Sequence, residues 1–229
     1  MFARAALGLL VLALATGCAT TPIGTRADAF PAMYTDKKPT SMLVVPAINN
    51  STAADAADLL NVTVAQPFVD HGYYVFPVPV VAEIFQREGV VEGAQARSLP
   101  MGLFRRNFGA DSVLFLTIDE WDKSYAVIAA NITVGIQYVL VSTDTSEVLW
   151  SYRQKVVIDT SGSSGIMLVD IISTAINTAI ADYVPVAAQV HARAVQSLPF
   201  GRYHPQSGTD GALKTVDLSA RDSATAAQE

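Results

Sequence analysis

The sequence predicts an α/β fold, or α+β where parallel and antiparallel parts mix: a five-stranded mixed sheet with helices packed on it. The predicted order of elements is β-α-β-α-α-β-β-β-α, in a single domain over residues 41–198. Two short apolar runs separated by a helical pattern indicate neighbouring parallel strands with a right-handed crossover. From residue 111 onward, hydrophobic residues recur at every second position, which is typical of antiparallel strands.

The first strand and helix are predicted from an apolar run followed by polar capping residues. Residues 41–48 have the length of a buried strand, and residues 49–52 are types that favour helix N-termini. A helix over residues 53–70 should follow. Its expected apolar stripe consists of Ala56, Leu59 or Leu60, Thr63 or Val64, and Phe68. Pro67 is expected to kink or end this helix.

The second strand is predicted at residues 73–78, directly after a glycine suited to a helix C-terminus, Gly72. Because side chains alternate along a strand, Tyr74 and Phe76 are expected on one face and Tyr73 on the other. Two short helices are predicted next, at residues 80–88 and 99–108, each ended by a glycine. The first two strands and their helices therefore form a βαβα unit.

The second half of the domain is predicted as a three-stranded meander followed by a long helix. The strands are expected at residues 112–121, 126–141 and 147–159, with a turn at 143–146. One face of the middle strand is apolar: Ile132, Val134, Ile136, Tyr138 and Leu140. Residues 166–198 carry a helical stripe that Pro185 should kink or split. The stripe could bury against the sheet or against a second copy of the chain.

The first eighteen residues predict the location of the protein. Arg4 precedes an apolar run over residues 5–15, which is too short to span a bilayer, and Ala15-Thr16-Gly17-Cys18 follows. This pattern favours a lipoprotein signal peptide over residues 1–17, with lipid attached to Cys18, the only cysteine. Ala15 departs from the leucine usual at that position, and an incidental cysteine in an ordinary signal is the alternative. Residues 18–40 are expected to be a tether, part of which could pack through Phe30, Met33 and Tyr34, and residues 199–229 a flexible tail.

Composition narrows the classes of partner. The net charge is −6 for all 229 residues. Removal of the signal takes away Arg4, so the mature charge is −6 − 1 = −7. A mildly acidic chain does not favour nucleic-acid binding, which needs a concentrated basic surface. With a single cysteine, the chain forms no internal disulfide. The hydrophobic share of 51% can supply a sizeable core and a subunit interface.

No sequence motif indicates an enzymatic reaction. The histidines His71, His191 and His204 lack partners at metal-ligand spacing. The acidic cluster Asp119, Glu120 and Asp122 could do acid–base chemistry, but at a strand end it is more typical of a solvated rim. The loop at residues 161–165 precedes a helix, as phosphate-binding loops do, yet it lacks their lysine. We therefore predict no enzyme activity and no catalytic, cofactor or metal site.

Several blocks of the chain resemble a family of bacterial lipoproteins, one member of which is a meningococcal surface-antigen candidate. They are Leu43-Val44-Val45-Pro46 with Asn49-Asn50, Gly72-Tyr73-Tyr74-Val75-Phe76-Pro77, Val81-Ala82-Glu83-Ile84-Phe85, residues 111–116 and Glu147-Val148-Leu149-Trp150-Ser151. The resemblance covers about residues 34–203. It implies a fold similar to the TolB N-terminal domain and the CsgG periplasmic domain. It also implies a homodimer, a CsgG-like partner lipoprotein and no catalytic residues.

The favoured function is a lipid-anchored periplasmic accessory or scaffold lipoprotein of the outer membrane. It would serve an envelope transport, secretion or assembly complex by protein–protein contact. In lipoproteins that the signal resembles, Ala19 rather than aspartate after the cysteine favours the outer membrane, with surface exposure left open. One alternative is a subunit of an oligomeric secretion pore, with the hairpin at residues 126–159 inserted in the membrane. Another is a periplasmic small-ligand carrier or hydrolase.

Overall fold

The computed structural model describes residues 24–35, 38–126, 129–159 and 183–215. The α-helices are α1 (Arg26–Ala29), α2 (Ala56–Asp70), α3 (Val78–Arg87), α4 (Gly93–Ser98), α5 (Met101–Phe108) and α6 (Tyr183–Ala194). The strands are β1 (Ser41–Val44), β2 (Ile48–Asn49), β3 (Tyr74–Val75), β4 (Ser112–Ala126), β5 (Ala129–Ser142) and β6 (Val148–Asp159). The predicted fold class is confirmed.

The strands form one mixed sheet in the order β3-β1-β4-β5-β6, with β2 paired to β4. Strand β1 is parallel to both its neighbours, with Met42 opposite Val75 on β3 and Ser112 on β4. Strands β4, β5 and β6 follow as an antiparallel meander. The parallel first unit and the antiparallel second half both match the prediction.

The sheet has six strands rather than five because the predicted strand at residues 41–48 is interrupted. Val44 lies opposite Leu114, and Ile48 lies opposite Thr117. The chain therefore advances four residues from Val44 to Ile48 while β4 advances three. One residue is therefore extra, as in a β-bulge. Pro46 lies in this interval and has no N–H to donate to a neighbouring strand. This proline explains the break between β1 and β2.

The helices between the parallel strands differ from the prediction in number and length. Helix α4 was not predicted. A Cβ on Gly93 would lie 2.4 Å from backbone atoms of Ala47 and Ile48, so glycine lets α4 pack directly on the β1–β2 connection. Helix α3 begins two residues early, at Val78, with a proline in its first turn. Helix α2 continues past Pro67 to Asp70, so this proline does not end it.

Helices α2 and α6 bury the main hydrophobic core against one face of the sheet. The stripe of α2 is Ala56, Leu60, Val64 and Phe68, all fully buried. The predicted apolar face of β5 is buried in the same core. The described half of the last helix contributes Val186, Val190 and Ala194 to this core, so this half of the stripe packs inside the domain. A second core lies on the other face, where Val81, Phe85 and Phe104 from α3 and α5 pack against the sheet.

Residues 24–35 and 199–215 pack on the domain, so the tether packs in part, as the sequence allowed, whereas the described part of the predicted tail is not flexible. Met33 is fully buried in the main core, within a 3₁₀ helix at Pro31–Tyr34. Asp210 is buried in another 3₁₀ helix, Asp210–Ala212. The sequence had allowed packing through Met33, but local composition did not reveal the contacts of the C-terminal segment. Residues 216–229 lie outside the described residues.

Several sequence predictions fall on residues that the structure does not describe. These are the signal peptide, Cys18, the loop at residues 160–165 and the first half of the predicted last helix. Within the four described ranges, no helix has both the length and the apolar character needed to cross a bilayer.

Candidate functional site

The two ends of the described chain meet in a structure that we call the terminal clamp, formed by residues 24–34 and 198–215. At its centre, the guanidinium of Arg26 donates to the carboxylate of Asp210 over 3.1 Å, and both side chains are buried. A second guanidinium nitrogen donates to the carbonyl of Gln196. The same guanidinium lies 5.2 Å from the centre of the Phe200 ring. The clamp therefore joins residues that are 184 positions apart in the sequence.

Local sequence explains how Arg26 is presented to the clamp. The Thr25 hydroxyl accepts from the Asp28 N–H, and the Asp28 carboxylate accepts from the Thr25 N–H, which forms a capping box at the start of α1. Hydrogen bonds from the side chain and then the backbone of Thr25 lower the pKa of Asp28. The cap starts the short helix at Arg26 and fixes the direction of its side chain.

Asp210 is the acceptor at which three donors converge. Its Oδ2 accepts from Arg26, from the Tyr34 hydroxyl at 3.2 Å and from the Phe200 N–H at 2.9 Å. Burial would raise the pKa of this carboxyl, but the Phe200 N–H, Arg26 and Tyr34 outweigh burial and lower it. Burial and the nearby Asp210 charge raise the pKa of Tyr34. At neutral pH the clamp thus contains a buried carboxylate with a paired positive charge.

Close backbone contacts hold the start of the C-terminal segment against the end of α2. A Cβ on Gly201 would lie 2.1 Å from the carbonyl oxygen of Gly72, and Gly72 itself has φ +91°. Both positions therefore require glycine. The Phe200 and His204 rings stack at 3.7 Å, and the Tyr73 hydroxyl donates to the carbonyl of Pro199 over 2.6 Å. Gly72, which the sequence predicted at the end of α2, thus also contacts the C-terminal segment.

A second feature is a charged ladder on the exposed face of the meander, formed by Asp119, Glu120, Arg153 and Lys155. Arg153 contacts Asp119 at 3.3 Å, and Lys155 contacts Glu120 at 2.9 Å. Between them, Gly135 on β5 forms the floor of an open depression of about 400 Å³. The acidic residues lie on β4 and the basic residues on β6, so the negative and positive charges form separate rows.

Lys155→Ala should change the free energy of unfolding by about 0.5 kcal/mol or less, because exposed ion pairs are screened by water. A double-mutant cycle with Glu120→Ala, measured by urea denaturation, should give a similarly small coupling energy. Coupling well above 1 kcal/mol would show that the ladder is a structural element rather than a solvated surface.

His191 is a core residue. It is fully buried, and its Nδ1 lies 2.8 Å from the hydroxyl of Tyr138. Burial lowers the pKa of His191 to about 3. His71 is also largely buried and bonds through Nε2 to the carbonyl of Leu198 at 2.7 Å. Burial lowers its pKa to about 4. Both imidazoles are therefore neutral at pH 7.

The lowered pKa values of His71 and His191 predict that the protein loses stability in acid. An unfolded histidine binds a proton below about pH 6.5, whereas the folded groups resist protonation down to about pH 4 and 3. The unfolded state thus binds more protons in this window, and stability falls as the pH is lowered through it. The expected slope from each histidine is up to about 1.4 kcal/mol per pH unit. Urea denaturation of the wild type and His191→Gln between pH 7 and 4.5 checks this, since the variant should lose part of the slope.

The residues singled out from sequence have distinct locations. Tyr74 and Phe76 share a face, with ring centres 5.1 Å apart, while Tyr73 is buried, as predicted. Asp119 and Glu120 lie in the charged ladder, and Asp122 is exposed. Among the described residues, no group of three or more histidine, cysteine or acidic side chains is placed to bind a metal ion.

Sequence reasoning missed Arg26 and Asp210, because both lie in segments assigned to the tether and the tail. The signal that could have located Arg26 is the capping-box pattern Thr25-x-x-Asp28, which marks a helix start inside the supposed tether. Asp210 has no comparable local signal.

Comparison with known proteins identifies relatives among bacterial lipoproteins. The chain is 30% identical over 144 residues to "Putative lipoprotein NMB1124/NMB1162" of Neisseria meningitidis serogroup B, covering 63% of this chain and 67% of that protein. The crystal structure of lipoprotein GNA1162 from Neisseria meningitidis is similar with a TM-score of 0.50 and 32% identity. That match covers 55% of this chain and 87% of the other.

A further similar structure is a PelC L103M dodecamer from Paraburkholderia phytofirmans. It has a TM-score of 0.44 and 17% identity, and the match covers 68% of this chain and 85% of the other. A family model described as "Putative lipoprotein GNA1162-like" matches residues 31–203, well over half of the chain. This match includes the β-sheet and helices α2–α6, while Arg26 and Asp210 of the terminal clamp lie outside it. The chain belongs to the GNA1162-like lipoprotein family.

Proposed function

We propose that the protein is a lipid-anchored accessory lipoprotein of the bacterial envelope that acts by protein–protein contact and not as an enzyme. The observation that carries this proposal is the position of the only cysteine. Cys18 ends an apolar signal-like segment and lies six residues before Gly24, the first residue that the structure describes. Lipid on Cys18 would hold the folded domain at a membrane surface. Membership of a lipoprotein family supports the same anchor.

The finer location that we propose is the periplasmic side of the outer membrane. It rests on Ala19, which follows the cysteine where an aspartate would favour retention in the inner membrane. The partners that we propose are a second copy of the chain and a CsgG-like lipoprotein. We prefer this function to a pore subunit because the alternating apolar residues of β5 are buried against helices within the domain.

Metabolic labelling with radioactive palmitate, followed by membrane fractionation, tests the anchor. Wild-type protein should incorporate label and sediment with the outer membrane, and Cys18→Ala should lose both properties. Ala19→Asp is the matched control, because it should keep the label and move to the inner membrane. Equal membrane association of wild type and unlabelled Cys18→Ala would contradict the lipid anchor.

In-cell crosslinking tests the accessory role. We expect a specific envelope protein crosslinked to the wild type and lost in Cys18→Ala, and a crosslinked dimer in addition. If both forms gave only self-crosslinks, the accessory role would lose its support.

A further inference from the structure

The terminal clamp ends in a backbone-paired edge with two exposed side chains, a few residues along the chain from the proposed anchor. The Arg26 N–H donates to the carbonyl of Leu213 over 2.8 Å, and the Thr215 N–H donates to the carbonyl of Gly24 over 3.1 Å. Thr25 pairs with Lys214 as an antiparallel bridge. This edge, which we call the anchor edge, therefore consists of residues 24–26 and 213–215. Leu213 is 48% exposed at this edge, and Lys214 is exposed next to it.

The distance between the anchor edge and the membrane is limited by chain length. Cys18 and Gly24 are six residues apart. A fully extended chain spans at most about 3.3–3.6 Å per residue, so Gly24 lies within roughly 20 Å of the lipid-bearing residue. A tether extending through residue 40 would have allowed far greater freedom. The clamp shortens it, because the chain is already packed from Gly24 onward.

We propose that the anchor edge docks on the surface of the bilayer that holds Cys18, with Leu213 entering the interface and Lys214 contacting lipid phosphates. This inference rests on the proposed lipid anchor. An apolar side chain beside a basic one is the pairing that suits a headgroup surface. A lysine near an anionic membrane is attracted to the negative surface potential of the lipids. Because at most roughly 20 Å of chain separates Gly24 from the lipid-bearing residue, Leu213 and Lys214 stay at a high local concentration near the membrane surface.

Docking of this edge defines the class of partner that the domain can reach. The domain stays at the membrane surface and cannot extend far into the compartment. Its partners must therefore present their docking surfaces close to the same membrane.

A fluorescent probe on an introduced cysteine tests the proposal. Lipidation consumes the Cys18 thiol, and no other cysteine is present, so Leu213→Cys can be labelled at one position with an NBD fluorophore. The matched control is Val80→Cys, since Val80 is 53% exposed on α3, which packs on the opposite face of the sheet from α2. Lipidated protein is inserted into phosphatidylethanolamine–phosphatidylglycerol vesicles that contain lipid spin-labelled at the headgroup.

We expect quenching at position 213 to be several-fold stronger than at position 80, and to weaken when Lys214→Glu is added. The unlipidated form, Cys18→Ala with Leu213→Cys, should show little quenching. Equal quenching at positions 213 and 80 would overturn the docked edge, and so would quenching that Lys214→Glu leaves unchanged.

Palmitate labelling of the same samples separates the two proposals. A labelled protein without quenching at position 213 would overturn only the docked edge. A protein that takes up no palmitate would overturn the lipid anchor itself.

Discussion

Replacing Asp210 with asparagine is expected to lower the free energy of unfolding by about 3–5 kcal/mol, because it leaves the buried Arg26 guanidinium without a counter-charge. Asparagine keeps the size of the side chain and can still accept a hydrogen bond from the Phe200 N–H. The change therefore isolates the charge from the packing. Urea denaturation followed by the fluorescence of the two buried tryptophans, Trp121 and Trp150, measures it.

The same substitution should loosen the clamp locally before the domain unfolds. Hydrogen exchange at the backbone amides of Arg26 and Thr215 should accelerate, since their bonds join the two terminal segments. The matched control is Asp144→Asn, because the Asp144 carboxylate forms an exposed and long ion pair, 4.0 Å from Arg105. That control should cost about 0.5 kcal/mol or less. Equal effects of the two substitutions would show that the Arg26–Asp210 pair does not stabilise the clamp.

The contribution of Asp210 also has a defined dependence on pH. Its pKa is lowered in the folded state, so its stabilising effect is present above the unfolded pKa of about 4. The effect is lost as the pH falls through the lower folded value. The stability difference between wild type and Asp210→Asn should therefore be constant near neutrality and shrink only in strong acid. A difference that shrank between pH 7 and 5 would contradict this assignment.

Trp150→Ala should be comparably destabilising, by about 3–5 kcal/mol, because it removes a large side chain from the middle of the main core. Trp150 is fully buried, and its ring stacks on Tyr152 and meets the edge of Phe68. Its indole N–H donates to the Ser197 hydroxyl over 3.1 Å, just beyond α6. The residue thus joins β6 to both α2 and the end of α6.

Two control variants separate the packing of Trp150 from its hydrogen bond. Trp150→Phe keeps an aromatic ring and loses the N–H, so its cost should be smaller than that of the alanine variant. Val148→Ala, on the same strand but 54% exposed, should cost less than about 0.5 kcal/mol. Urea denaturation checks all three. A Trp150→Ala cost below 1 kcal/mol would mean that the surrounding core collapses into the space.

Sequence reasoning located the elements whose signals repeat along the chain. The alternation at Ile132, Val134 and Ile136 identified the buried face of β5. The helical spacing located the buried face of α2 to within one position, and the structure selects Leu60 and Val64. These patterns persist because a sheet or a helix must bury one side whatever its partner is. The family resemblance is confirmed, whereas the expected similarity to TolB and CsgG stays a prediction.

Interruptions and short additions within the predicted helices and strands were harder to predict from sequence. Pro67 does not interrupt α2, while Pro46 coincides with the break that turns one predicted strand into two. Helix α4 was missed because its packing depends on Gly93 approaching a backbone segment more than forty residues earlier. A proline or glycine signals an unusual backbone, but the surrounding structure decides what that backbone does.

The sequence by itself determined the class of the sheet, its parallel and antiparallel halves, and the faces of β5 and α2 that would be buried. Hydrophobic periodicity carries that information locally, over a few turns or strand positions. Only the tertiary structure showed that residues 24–30 and 199–215 pack on the folded domain. Arg26 and Asp210 lie in segments whose composition predicts flexibility, and each is ordered by contacts with the other. Such a pair has no local pattern, because its stability arises only when folding brings the two distant segments together.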